Sequence, residues 1–422
     1  MSRYQLLMPV TLLATALAAS PAYANNEAMI QLLKVLKEKG TIDQQTYEQL
    51  AGVARADEEQ NSSGQEKVAK VAQDVKKEVA KIKSDSESGW WNDTKISGRM
   101  YSNLSYVHNE RSGATQSNNG PGFDVKRFYV SIDHKFNDTF AADVTTDFTY
   151  DSTTKATQLF LKKAYLDINI NPAFDLRLGS TDLPWIPFVE GIYGHRYIEN
   201  VIVDRTKFGT SADWGVHAKG EFQNGLINYA VAVVNGAGYK NPDALGHTNS
   251  MDFEGRVNLN WNDFVLGAGG YVGKLGKDVE GVSTPHTATR FDAIAAYVND
   301  PLRVGVEYFR AWDWMNVATA TSDSSEGVSA FANYKFAPQW GVFGRYDYVM
   351  PTKDTNNNLE DHYFNVGLEY SPAKIVDFSL VYKRDHAAGG FLKTSNGTIG
   401  SLSATSGTGT YDEVGLFSRF RW

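Results

Sequence analysis

The residues with the clearest chemical potential are cations. Arg99, Arg127, Arg177, Lys219 and Arg256 are spread across the chain, and Arg196, Arg205 and Lys207 sit in an aromatic stretch that also holds Trp185 and Tyr193. A guanidinium stays charged at any physiological pH and matches an oxyanion with two parallel hydrogen bonds. Rows of such groups facing water would bind phosphate and similar anions. They could equally neutralise acids such as Glu190, Glu199 and Asp204 in the same stretch. For each residue taken singly, both readings stand.

Other chemistry has little to work with. The chain has no Cys, which removes a disulfide framework, a cysteine nucleophile and covalently attached haem. His195, His217 and His362 lie in no nucleophile context such as G-x-S-x-G. No His pair stands at ligand spacing on one element. No catalytic residue, metal or cofactor is therefore expected, and the chain does not read as an enzyme. A net charge of -8 argues against a nucleic-acid partner.

The elements that must position these cations show a period of two. From Thr94 to Trp422, apolar and polar residues alternate, as in Phe253, Val257, Leu259 and Trp261 against Glu254, Arg256, Asn258 and Asn260. Phe378, Leu380 and Tyr382 alternate with Asp377, Ser379 and Lys383 in the same way. Each such segment runs for about 10 residues, the length of a tilted transmembrane strand. The strands of a soluble sandwich usually run about 5–6 residues. A mean hydropathy of -0.37 is compatible with a membrane barrel, since one face of every strand is polar.

Connections alternate short and long. Short turns are expected at Asn137-Asp138-Thr139, Asn171-Pro172-Ala173, Gln223-Asn224-Gly225, Asn262-Asp263, Asn299-Asp300-Pro301, Ala337-Pro338-Gln339 and Ser371-Pro372-Ala373. Long polar loops fall around 108–123, 152–158, 182–211, 236–250, 275–289, 313–326, 351–361 and 387–410. This order gives an all-β membrane protein, an antiparallel transmembrane barrel of about sixteen strands with both ends on the short-turn side. Phe136, Phe140, Phe222, Trp261, Phe264, Phe336, Trp340 and Tyr370 flank the short turns as an aromatic girdle facing outer-membrane lipid. The last strand ends in Trp422, which shares a face with Phe420 and Leu416 and resembles the signal read by the barrel-assembly machinery.

The inward faces carry many charges, including Lys135, Arg303, Lys335, Arg345 and Lys383 with Asp147, Glu254, Glu307, Asp347 and Glu369. A dry interior could not hold them. A sixteen-stranded barrel leaves an aqueous channel that hydrates them. Residues 182–211 form the longest loop, too aromatic for a floppy surface segment, and are expected to fold inward and narrow the pore as a constriction loop.

Ahead of the barrel, residues 1–24 read as an export signal: Arg3, an apolar stretch from Leu6 to Ala19, and an Ala22-Tyr23-Ala24 cleavage site. Residues 25–90 form a helical segment and residues 91–422 the barrel. Met29, Leu32, Leu33 and Leu36 make one helical stripe that Gly40 would end, and Thr41 with Gln44 fits a capping box opening a second helix. Val68, Ala72, Val75, Val79 and Ile82 repeat with the spacing of a coiled coil. Either a single amphipathic helix or an oligomerising stalk fits that run.

The sequence resembles the phosphate-selective porin O/P family. The resemblance rests on Leu32-Leu33-Lys34-Val35-Leu36-Lys37-Glu38-Lys39-Gly40-Thr41-Ile42 followed by a polar helix, and on Lys95-Ile96-Ser97-Gly98-Arg99-Met100-Tyr101. It continues through Arg127-Phe128-Tyr129-Val130, Ala164-Tyr165-Leu166-Asp167 and Leu176-Arg177-Leu178-Gly179-Ser180, spanning nearly the whole mature chain. It implies a homotrimeric Gram-negative outer-membrane porin with its N-terminal segment in the periplasm. It also implies an inward third loop and inward arginines, best matched by Arg99, Arg127 and Arg177. The expected function is passive diffusion of small anions, phosphate or similar, and other small polar solutes. Two alternatives stay open: a saccharide porin with a slide drawn from Trp185, Tyr193, Tyr197, Trp312 and Trp314, and a barrel anchor with a periplasmic structural or cell-wall-binding role.

Overall fold

The structure, a computed structural model, describes residues 26–56, 73–77, 89–116, 119–151, 156–241 and 247–422. The export signal and most of the repeat from Val68 to Ile82 lie outside the described residues; Val75 falls in a helical stretch at 73–77. Two compact units divide at Asn92 and Asp93.

In the first unit, α1 (Asn26–Glu38) and α2 (Gln44–Ala56) bury Leu33 and Ala51. Gly40, at φ 66°, ends α1 as expected: Thr41 N–H donates to Leu36 O and Gly40 N–H to Lys37 O. The expected Thr41–Gln44 capping box does not form. Asp43 caps α2 instead, its carboxylate accepting from Thr46 N–H at 2.7 Å, because the helix begins at Gln44 and the cap is the residue before it.

The second unit is a closed antiparallel barrel of sixteen long strands. They are β1 (Thr94–Arg111), β2 (Gly120–Lys135), β3 (Phe140–Asp151), β4 (Ala156–Asn171), β5 (Phe174–Asp182), β6 (Ala212–Phe222), β7 (Ile227–Val234) and β8 (Asp252–Trp261). The second half comprises β9 (Phe264–Gly273), β10 (Ala288–Val298), β11 (Leu302–Trp312), β12 (Ser324–Ala337), β13 (Trp340–Met350), β14 (Glu360–Ala373), β15 (Val376–Ala388) and β16 (Thr408–Arg421). Each pairs with its sequence neighbour, and β16 pairs with β1 from Arg99↔Arg421 to Arg111↔Gly409, so no long edge is left open. Trp422 extends the closure through reciprocal backbone bonds with Gly98. The turns fall as expected with one shift. Ser371-Pro372-Ala373 lies in the irregular end of β14, and Lys374-Ile375 makes the reversal.

The barrel is inside out relative to a soluble protein. Ile132, Val144, Leu178, Val257, Leu266, Val306, Val342, Val366, Leu380 and Leu416 point outward and are exposed, whereas Asp147, Glu254, Asp292, Glu307, Asp347 and Lys383 point inward and are buried. An outward apolar band of this extent is a liability in water and a solvent match in lipid. At the short-turn rim Phe136, Phe140, Phe222, Trp261, Phe264, Phe336 and Trp340 are all exposed, giving the expected girdle.

The largest apolar cluster lies within the barrel. Trp185, Ile186, Val189, Ile202, Val203 and Phe208 of the third loop pack on Tyr271, Ile294, Phe309, Phe331 and Val349 of the wall. Within that loop α3 (Ile186–Tyr193) starts with Pro187 in its first turn and ends at Gly194, φ 81°, and α4 (Ile202–Arg205) makes one turn. Gly269 of β9 leaves the space that the loop fills: a side chain there would meet the Trp185 ring at 2.7 Å.

Candidate functional site: a basic lane beside the third loop

A loop inside a barrel must satisfy its own backbone. Here the wall arginines do so. Arg256 donates to Pro184 O at 2.8 Å, Arg303 to Gly191 O at 3.1 Å, Arg419 to Gly194 O at 3.0 Å, Arg345 to Asn200 O at 2.6 Å and Arg290 to Phe208 O at 2.6 Å. Side chains add to this docking. Trp185 donates from its indole to Glu307 at 2.9 Å and from its backbone to Glu254 at 2.8 Å. Tyr197 bonds to Ser379 at 2.7 Å and Glu369 at 3.1 Å.

Charge pairs complete the attachment. Arg205, with no exposed surface, reaches Asp347 at 2.9 Å, Asp361 at 2.6 Å and Asp385 at 3.2 Å. Glu199 meets Lys383 at 3.2 Å and accepts from Ser395 at 2.5 Å. Burial alone pushes the Glu199 carboxyl up, but Lys383 and then Lys126 outweigh it and hold it well below the usual carboxylate range. One face of the loop is therefore fixed to the wall of β8 through β16.

The other face looks toward β2, β3 and β4, where two β-bulges alter the count of inward residues. Tyr101 pairs with Arg127 and Ser102 with Val125, leaving Lys126 unpaired; Thr145 pairs with Lys163 and Thr146 with Leu161, leaving Lys162 unpaired. A bulge lets two consecutive side chains share one face. Lys126 thus turns inward beside Arg127 and donates to Ile198 O at 3.0 Å. Lys162 turns inward beside Lys163, with its ammonium 4.9 Å from the Tyr129 ring centre.

These groups converge. Arg127 and Arg196 repel each other across the gap, with Tyr129 in the field of both and of Lys162. Lys240, 5.1 Å above the Phe160 ring, feels Arg127 and Lys207. The nearby carboxylates are Asp147, 3.7 Å from Arg127, and Glu190 and Asp204, 2.5 and 3.7 Å from Arg196. Asp182, held by Lys163, also acts on Lys162, so Arg127, Lys162, Arg196, Lys207 and Lys240 face four acids and still outnumber them. An anion entering this gap finds more positive than negative charge, in a confined space where fields are focused.

The sequence-predicted residues divide four ways. Arg127 and Arg196 meet in the lane, with exposed Lys207 and Arg99 beside it; Arg99 donates to Tyr101 Oη at 3.2 Å. Arg177 and Lys219 share Asp175, at 3.7 and 3.2 Å, and Arg177 also pairs with Asp167 at 3.2 Å. Arg256 binds the loop root, its guanidinium 4.1 Å from the Phe188 ring centre. Of the two readings left open for Arg205, the structure shows the neutralisation of acids, and Trp185 and Tyr193 turn away from the pore with it. They are buried behind the loop, because the aspartates and apolar side chains of β9 through β15 take up their surfaces. Lys126 and Lys162 were not foreseen; adjacent basic pairs within apolar alternation were their signal. Of the histidines, His195 faces Glu369 at 3.3 Å, His217 lies on β6, and His362 is on the outward face bonded to Tyr346.

No family model matches the chain, and no curated protein does. Solved structures do. An anion-selective porin from Comamonas acidovorans aligns with TM-score 0.58 and 12% identity, over 78% of this chain and 99% of that one. The trimer form of OmpT, an outer membrane protein of Vibrio cholerae, gives 0.51 and 14%, over 78% and 99%. Salmonella typhi OmpF, in complex with daunomycin, gives 0.53 and 10%, over 78% and 99%. At such identities the likeness is one of fold alone, the closed antiparallel β-barrel.

Proposed function

We propose that the chain is an outer-membrane diffusion pore that prefers small anions, phosphate among them, and passes other small polar solutes less readily. The observation that carries this reading is the division of charge across the third loop. Behind it, cations are consumed by carboxylates and loop carbonyls; in front of it, Lys162, Arg127, Arg196, Lys207 and Lys240 exceed their acids. Rings or rows of Arg and Lys favour anions in pores. The anion-selective Comamonas porin, similar in fold, is in keeping with this. By the same likeness to the trimeric OmpT form, three copies would associate side by side in the membrane. The saccharide alternative loses its slide: Trp185, Tyr193, Tyr197 and Trp314 are buried and Trp312 points outward.

The test is the zero-current potential of the purified protein in a planar bilayer under a KCl gradient. Conduction with the sign of chloride preference supports the reading. A closed barrel, or potassium preference, removes it.

A further inference from the structure

A cleft of about 190 Å³ opens at the root of the third loop, between its first residues and the wall of β5 through β8. Two of its polar lining residues, His217 and Thr181, are buried and make no side-chain hydrogen bond among the described residues. His217 is 5% exposed and Thr181 1% exposed. Neither ring nitrogen of His217, nor Thr181 Oγ1, makes a hydrogen bond among the described residues. The nearest backbone group acting on the histidine ring is the Asp213 carbonyl. Buried polar groups normally find partners, and these two line the same cavity. Arg177 Nε is likewise buried without a partner.

The remaining walls define what could fill the space. Arg256 brings positive charge, Lys219 and Arg177 share theirs with Asp175 and Asp167 outside the cleft, and the only carboxylate among the lining residues, Asp182, is held by Lys163. Phe188, Pro187 and Val231 supply an apolar surface. An inorganic oxyanion stripped of its water would leave oxygens against that surface without donors, which is costly. A molecule with one charged end and one apolar end fits both halves.

The geometry points to a binding subsite here for a small organic carboxylate, held at its charged end by Arg256, Arg177, His217 and Thr181 and at its apolar end by Phe188. It depends on the pore reading only for the route by which the ligand arrives. The subsite would make transport of such acids saturable, whereas simple ions pass in proportion to concentration.

Benzoate is the probe, with benzyl alcohol as its uncharged counterpart, applied to the full mature protein in planar bilayers. Benzoate should reduce the chloride current saturably and benzyl alcohol should not. His217→Phe and Thr181→Val, each checked for a β-rich circular dichroism spectrum, should weaken the benzoate effect about tenfold by removing a hydrogen bond to a charged ligand. If one variant does not fold, the other decides. A benzoate effect that never saturates, or that is undiminished in the folded variants, overturns the subsite. The zero-current potential on the same bilayers separates the two readings: chloride preference without benzoate block removes the subsite alone, and saturable block without chloride preference removes the anion-pore reading alone.

Discussion

The Arg205 guanidinium lies 2.6 Å from the Asp361 carboxylate, and neither side chain has any surface exposed to solvent. One residue comes from the third loop and the other from β14, so the pair joins the loop to the far wall. Removing one partner of a buried ion pair costs about 3–5 kcal/mol, because the other charge is left stranded. Arg205→Ala should free the loop from Asp347, Asp361 and Asp385 together. Single-channel records should change from steady to flickering while the barrel still inserts. A variant with steady wild-type current would show that the loop does not depend on this attachment.

The Glu199 anchor should also hold in mild acid. Lys383 and Lys126 lower the Glu199 carboxyl below its unfolded value, so its contribution is complete above that value and is lost only as pH falls through the lowered one. An unfolded Glu titrates near about 4.3. The difference in channel stability between the wild type and Glu199→Gln should therefore be constant from neutral pH down to about 4.3 and shrink only below it. A difference that shrinks near neutral pH would assign the anchoring to other groups.

The outward face is predicted to be in lipid. Leu380 on β15 is 59% exposed and midway along the strand. A lysine there should destabilise the barrel by about 2–4 kcal/mol if it lies at the bilayer midplane. Equilibrium refolding into lipid vesicles measures this. An unchanged midpoint would place Leu380 away from hydrocarbon.

Much of this architecture was legible in the sequence because lipid and water impose opposite demands on alternate residues. Phe378, Leu380 and Tyr382 against Asp377, Ser379 and Lys383 reveal β15 without further information. The inward loop was legible too, from its length and its aromatic content. What could not be read was which loop cations face water. Arg196 and Arg205 stand in the same loop, and only the convergence of Asp347, Asp361 and Asp385 from three strands separates them. Lys126 and Lys162 escaped a parity count because each occupies a bulge. An outward lysine near mid-membrane would cost about 2–4 kcal/mol. The bulge avoids that cost, so an adjacent basic pair in an apolar alternation is a usable sign of one.

The sharpest test compares the wild type with a variant carrying Lys162→Gln, Arg127→Gln and Arg196→Gln together. Both are placed in a planar bilayer under the same KCl gradient. The account predicts a zero-current potential of chloride sign in the wild type that falls to zero or reverses in the triple variant. The same chloride-sign potential in both would contradict it, since the cations in front of the loop would then have no part in choosing the ion.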